Sequence, residues 1–223
     1  MELQPGSVRV VAVDVGSVAR GNFGWFAADI ELGGATPGSR YWQAGQGTTP
    51  SGAVDAVCVA LADARQVALG LECPLFVPVP SNEQLLGTAR SGEGRYPWSA
   101  GPGSNALVTG LSQLPWMLAR VRDRAPCLVT TRPERWSADT PLLIWEAFVS
   151  GPGKSTGSTH IGDAEAAVLE FAALGAGLLD RGPVTTDHPV HNLAATAAMA
   201  AGLRIDHAEL TGEVRVVKAR PTS

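Results

Sequence analysis

The sequence predicts a single α/β domain built around a mixed sheet. Two runs, residues 8–15 and 67–75, are rich in apolar, mostly aliphatic side chains, which is typical of central strands covered on both faces. Segments with apolar residues at helical spacing alternate with the strands, which indicates parallel additions through helical crossovers. With 223 residues, 45% of them hydrophobic and 17% charged, the chain is long and apolar enough to bury one full core.

The first half of the chain contains the signals of three meandering strands, a helix and a buried strand. After the strand at 8–15, the segments 25–32 and 40–46 are short, aromatic-containing and bounded by glycine, as antiparallel neighbours are. A helix capped by Ser51 follows and leads to the strand at 67–75. The apolar face of this helix is predicted to consist of Val54, Val57, Cys58 and Leu61.

The middle of the chain begins with a stretch rich in proline, glycine and serine, residues 76–103, which we expect to form one long loop over the strand ends. A helix follows at 105–122, in which Pro115 either makes a kink or starts a second piece. Candidate strands come next at 127–131 and 141–149.

The last part of the chain predicts two more helices, at 163–178 and 189–202, the second entered through Pro189 in its first turn. Residues 213–218 are a candidate edge strand. The helix at 163–178 carries few charges, which fits either a homodimer contact or an internal layer. Neither an internal repeat nor a low-complexity tract is evident, and residues 1–223 are predicted to form one domain.

Charge and cysteine content narrow the class of protein. The formal net charge of −4 argues against a protein that coats nucleic acid by charge alone, although a local basic groove stays open. Three cysteines without a CxxC pair suggest neither a disulfide framework nor a structural zinc site, which fits a reducing compartment. Neither an export signal nor a run of about 18 apolar residues is present, so we expect a cytoplasmic protein without a membrane partner.

Two of the predicted strands each end on a carboxylate, Asp14 and Glu72. Ligands of open α/β sheets bind outside the carboxyl ends of the strands, and neighbouring strands lie only about 4.8 Å apart. The two carboxylates can therefore share Mg²⁺ or Mn²⁺, which take oxygen ligands and activate water for phosphoryl chemistry. In the alternative, Asp14 accepts hydrogen bonds from the amides of Gly16 and Ser17, while Glu72 pairs with an arginine of the long loop.

Several of these segments together resemble the ribonuclease H-like superfamily, and most closely the family called domain of unknown function 429. The segments that carry the resemblance are VVAVDVGSVARGNFGWFAADIE, VALGLECPL, a loop with Arg90 and Arg95, LLIWEAF and the Ala-rich HNLAATAAMAAGL. The resemblance spans nearly the whole chain through short motifs. It implies a mixed five-stranded sheet in the order 3-2-1-4-5, with strand 2 antiparallel and helices on both faces.

The resemblance also implies roles for particular residues. Asp14 and Glu72 would hold the metal, and Glu146 or Asp187 would complete its shell. Related nucleases carry one or two aspartates on the last helix, where this chain has His191 and Asn192 instead. A histidine nitrogen and a neutral amide oxygen do not replace a negative charge toward Mg²⁺, so these two are candidates for substrate binding.

Other signals concern phosphate and base binding. Asp14 to Ser17 also resembles the first phosphate loop of actin-like ATPases and sugar kinases, in which small residues let amides approach a phosphate. The GPGKST run at 151–156 fails the P-loop pattern, because Phe148 stands where a glycine is required, although Lys154 can still contact an anion. Tyr96 and Trp98 either stack on a base or bury their own loop.

These observations lead to one expected function and two alternatives. We expect a metal-dependent phosphodiesterase, a nuclease-like hydrolase acting on nucleic acid or a nucleotide, with Mg²⁺ or Mn²⁺ as cofactor. Arg90, Arg95 or Lys154 would hold the phosphate of the substrate. The first alternative is a catalytically degenerate ribonuclease H-like protein that binds a ligand without turnover. The second is nucleotide binding through the turn that ends at Ser17.

Overall fold

The computed structural model of this chain describes residues 7–31, 41–149 and 159–220. These residues form a mixed sheet of eight strands, a separate two-stranded sheet and four α-helices. Most strand pairs in the large sheet are parallel, which confirms the predicted α/β class with a mixed sheet. Among the described residues, no helix combines the length and apolar content needed to cross a membrane.

The elements are numbered in chain order. The strands are β1 (Ser7–Asp14), β2 (Gly24–Glu31), β3 (Tyr41–Gly47), β4 (Val67–Leu71), β5 (Phe76–Pro78), β6 (Leu128–Thr130), β7 (Leu142–Phe148), β8 (Val190–Asn192), β9 (Arg204–Ile205) and β10 (Val216–Lys218). The helices are α1 (Pro50–Ala62), α2 (Gly101–Arg124), α3 (His160–Leu174) and α4 (Leu193–Ala200).

The large sheet runs in the order β3-β2-β1-β4-β7-β6-β9, with β10 also paired to β7. Strand β2 is antiparallel to both of its neighbours, whereas β1, β4 and β7 are parallel to one another. Strands β6 and β10 lie within the candidate strands predicted at 127–131 and 213–218, and together with β9 they extend the sheet beyond the five strands that the family resemblance implies. Strand β9 was not predicted, because its two residues are too few for a periodic pattern to stand out.

Two apolar layers cover the sheet. One contains side chains of α1, α2 and α4, and the other contains side chains of α3. Strand β1 supplies alternate residues to both, Val11 and Val13 on one side and Val10 on the other, as the two-residue period of a strand requires. Its complete burial explains the continuous apolar run at residues 10–13, whereas the charged Arg9 before it is buried in an ion pair with Asp29.

The long segment predicted as a loop, 76–103, has more structure than expected. It starts with β5, which pairs with β8 in antiparallel register, and it contains a short 3₁₀ turn at Glu83–Leu85. Helix α2 begins at Gly101 and continues through Pro115 to Arg124 as one helix. A strand of three residues that ends on proline gives little sequence signal, because proline is depleted in strands.

The termini of the other helices also differ from the predictions. Helix α1 is capped by Thr49 rather than Ser51, and α3 starts at His160, three residues earlier than predicted. The predicted helix start at Pro189 is wrong, because residues 190–192 pair with β5 before Asn192 caps α4.

Candidate metal centre

Three carboxylates from distant parts of the chain meet at one edge of the sheet. Asp14 ends β1, Glu72 follows β4 directly, and Asp163 lies in the first turn of α3. One oxygen of each lies within 4.8 Å of the others. Asp14 and Asp163 are buried and Glu72 is half-buried. Among the described residues, these three form the one group of histidine, cysteine or acidic ligands with this spacing.

The sheet brings Asp14 and Glu72 together. Strands β1 and β4 are parallel neighbours with Val13 opposite Leu71, so the next residue of each strand lies at the same edge. The amide of Glu72 donates a hydrogen bond of 2.8 Å to the carbonyl of Val13, which extends the ladder by one step. The prediction that these two carboxylates lie close together is therefore confirmed.

A glycine lets the third carboxylate approach. Gly24, which pairs with Asp14 across the sheet, lies under the start of α3. A Cβ atom at this glycine would be 2.4 Å from the carbonyl carbon of His160, so any larger residue would displace the helix. Thr159 caps that helix by accepting a 3.0 Å hydrogen bond from the amide of Gly162 at its hydroxyl oxygen.

Sequence analysis placed Asp163 only at the start of a helix and missed it as a ligand. The signal that could have found it is its position in the first turn of the helix after β7, at the carboxyl edge of the sheet. The family resemblance pointed to the last helix, where this chain has His191 and Asn192, whereas the third carboxylate is on α3.

His160 is a direct neighbour of the acidic group. Its Nδ1 atom lies 2.5 Å from Oδ2 of Asp14, and 40% of its side chain is exposed. When Asp14 is ionised, Nδ1 carries a proton and donates it in this hydrogen bond, which fixes the orientation of the carboxylate.

The arrangement suits a hard divalent cation. Two unit charges 4.8 Å apart repel each other by about 3 kcal/mol at an effective dielectric constant of roughly 20, so a cation between the carboxylates is favoured. An ion at the centre of a triangle with 4.8 Å sides lies about 2.8 Å from each oxygen (4.8 divided by √3). Mg²⁺ and Mn²⁺ prefer oxygen ligands, and Mg²⁺ needs about 2.1 Å, so small side-chain movements complete the contacts.

Comparisons with protein-family models, curated proteins and solved structures find no match. The carboxylate geometry is therefore the basis on which we assign a function.

Glu146 and Arg90 form a buried ion pair with each other. Two guanidinium nitrogens of Arg90 donate to the two carboxylate oxygens of Glu146 at 2.6 and 2.8 Å, and Nε donates to Glu93 at 2.8 Å. All three side chains are buried. Burial alone would lower the pKa of Arg90, but the charges and hydrogen bonds of Glu146 and Glu93 outweigh it and raise that pKa. The expected metal-ligand role of Glu146 and the expected phosphate role of Arg90 are thus replaced by a structural ion pair.

The predicted residues near the last helix lie outside the acidic group. The side chain of Asp187 is 96% exposed and faces Arg181 at 3.6 Å. His191 is exposed and its Nε2 lies 3.2 Å from the hydroxyl of Thr196. Asn192 is fully buried and uses its amide within the fold, accepting from the amide of Ala195 and donating to Thr131 and Gly212.

The remaining predicted phosphate contacts are only partly described. Ser17 and Arg95 are exposed, while Lys154 and the run 151–156 lie outside the described residues. Local packing requires glycine at position 16, because a Cβ atom on Gly16 would lie 1.5 Å from the carbonyl oxygen of Asn22. Tight packing within the turn thus accounts for this glycine without a phosphate.

A cavity of about 290 Å³ opens beside the acidic group, and Glu72 lines it. Its other lining residues are Cys73, Pro74, Tyr96, Pro102, Gly103, Ala106, Glu146, Ala147, Phe148 and Val149. Burial raises the pKa of Cys73 well above its ordinary value, and the charges of Glu146 and Glu72 raise it further. The thiol is therefore neutral and a poor nucleophile.

Proposed function

We propose that this chain is a divalent-metal-dependent phosphodiesterase of ribonuclease H-like fold, acting on nucleic acid or a nucleotide. The observation that carries the proposal is the meeting of Asp14, Glu72 and Asp163 within 4.8 Å at the carboxyl edge of β1 and β4. The strand order β3-β2-β1-β4-β7 with β2 antiparallel supports the fold assignment, because the same arrangement is implied by the family resemblance.

The three carboxylates would hold Mg²⁺ or Mn²⁺. When bound, such a cation polarises a phosphoryl oxygen and lowers the pKa of a water molecule. The chain itself contributes the negative charge that retains the cation and the buried position of Asp14 and Asp163, which limits screening by solvent. His160 acts as a positioning residue, because its hydrogen bond at Nδ1 restrains one oxygen of Asp14.

The test is a cleavage assay with 5′-labelled single-stranded DNA, single-stranded RNA and an RNA–DNA hybrid, together with the p-nitrophenyl ester of thymidine 5′-monophosphate, in Mg²⁺ or Mn²⁺. The wild type is expected to cleave at least one of these substrates. Asp163→Asn should slow cleavage by at least roughly a hundredfold, since outer-shell partners of metals already cost 10 to 100-fold in affinity or activity.

Asp187→Asn is the matched control, because it removes an aspartate that was also predicted as a ligand but that lies on the surface. Its rate should stay within about twofold of the wild type, as expected of a residue that touches neither substrate nor ligand. Equal rates for Asp163→Asn and the wild type would contradict the proposal. Metal binding without cleavage of any substrate would favour the degenerate binding protein instead.

A further inference from the structure

We infer that the cavity beside Glu72 receives the base of a nucleotide whose phosphate lies at the acidic group. This inference rests on the proposed function and narrows its substrate class. Glu72 belongs both to the carboxylate group and to the cavity lining, so a ligand that reaches this carboxylate also lies next to the cavity. A group filling the cavity is thus tethered to the phosphate by a short connection.

The lining favours a flat, mostly apolar group. Tyr96 and Phe148 supply aromatic rings, and Gly103, Ala106 and Ala147 are small enough to leave an open space. The two polar oxygens of Glu146 are taken by Arg90, and one of them also accepts from the amide of Leu75. Nucleobases stack on aromatic side chains, and every base offers a flat face for such a contact.

Size and charge favour a nucleotide over a long polynucleotide. The cavity of about 290 Å³ holds on the order of ten water volumes, which is room for one ring system rather than a folded segment. None of its described lining residues is lysine or arginine, and Arg90 nearby is committed to Glu146 and Glu93. Binding of long nucleic acid depends on basic contacts to many phosphates, which these residues do not provide.

The experiment compares AMP with ribose 5-phosphate, which has the same sugar and phosphate but no base, in calorimetric titrations at saturating Mn²⁺. The wild type should bind AMP on the order of tenfold more tightly, as expected of one base on an aromatic ring. Ala106→Phe fills the cavity and Tyr96→Ala removes a ring from its rim, so both should reduce the ratio to less than about twofold.

Val108→Phe is the matched control, because it adds the same side chain two residues away on α2, where Val108 is 69% exposed. This variant should keep the preference for AMP, and all three variants should bind Mn²⁺ like the wild type. Equal affinity of the wild type for AMP and ribose 5-phosphate would overturn the inference, as would a preference that survives in Ala106→Phe.

Adenosine titrated without metal distinguishes the failure of the two proposals. If the wild type binds Mn²⁺ but does not bind adenosine and does not prefer AMP to ribose 5-phosphate, the cavity inference is overturned. The proposed phosphodiesterase function is not contradicted by that result. Adenosine binding that Ala106→Phe abolishes, in a protein that does not bind Mn²⁺, overturns the proposed function while supporting the base site.

Discussion

Substituting Arg90 should lower the free energy of unfolding more than the loss of a surface ion pair does. Arg90→Met deletes three hydrogen bonds of 2.6 to 2.8 Å to the carboxylates of Glu146 and Glu93, which are buried with it. In the variant, Glu93 keeps two backbone amides as donors, whereas the one donor that Glu146 keeps among the described residues is the amide of Leu75. Breaking a buried pair on one side costs about 3 to 5 kcal/mol, because a charge remains buried without its partner.

The assay is urea unfolding followed by tryptophan fluorescence, supported by thermal melting. A loss of about 3 to 5 kcal/mol corresponds to a melting temperature lower by roughly 6 to 20 °C for a domain of this size.

Two further variants check the reasoning about Arg90. Arg124→Met removes an exposed pair with Asp55 and should leave the unfolding midpoint unchanged. Adding Glu146→Gln to Arg90→Met should recover more than half of the lost stability, because the uncompensated charge is removed. A change below about 1 kcal/mol in Arg90→Met, or a double variant that recovers none of the lost stability, would refute this account.

Three further predictions concern other parts of the fold. Gly24→Ala should push the start of α3 away from Asp14, because the new Cβ atom meets His160 at 2.4 Å, and it should weaken Mn²⁺ binding at least about tenfold in calorimetry. Asn192→Asp should lower the melting temperature without adding a metal ligand, since a carboxylate oxygen would face the carbonyl of Gly212. Burial and the charge of Cys58 raise the pKa of Cys127 to about 11, so its alkylation by iodoacetamide at pH 8, followed by mass spectrometry, should be roughly a hundredfold slower than for a thiol of ordinary pKa.

Each of these predictions has its own control or contrary result. Gly182→Ala, whose added Cβ would meet its neighbours only at ordinary distances of 3.6 Å or more, should bind Mn²⁺ like the wild type. Tighter Mn²⁺ binding by Asn192→Asp would show that Asn192 borders the metal after all. Alkylation of Cys127 at the rate of free cysteine would contradict its burial. Because the Cys127 thiol loses its proton at lower pH in the unfolded chain than in the folded protein, the free energy of unfolding should fall between about pH 9 and 11.

The elements that sequence patterns predict well here are those with strong burial on both sides. Strands β1 and β4 stand out because complete burial favours apolar residues on both faces of each strand, and their parallel pairing follows from the crossover through α1. The proximity of Asp14 and Glu72 follows from that pairing alone. Strands β5 and β8 were missed, because pairs of three residues are fixed by contacts between distant segments rather than by local sequence.

The composition of the acidic group was harder to predict than its place. Asp163 looked like an ordinary helix-start residue, and only the close approach of α3 over Gly24 brings it to Asp14. Glu146 was expected at the site because the family resemblance implies that role, and Arg90 was expected to hold the phosphate because it lies in the long loop near the strand ends. Whether two such residues face a ligand or each other depends on side-chain geometry that spacing along the chain does not contain.

The most direct test of the central claim is calorimetric titration of Mn²⁺ into the wild type and into Asp14→Asn, Glu72→Gln and Asp163→Asn, with Asp187→Asn as control. One cation should bind per chain in the wild type and in the control, and each of the three substitutions in the group should weaken that binding by roughly a hundredfold or abolish it. A wild type that does not bind Mn²⁺, or affinity that survives the loss of any one of the three carboxylates, would contradict the claim that they form a metal centre.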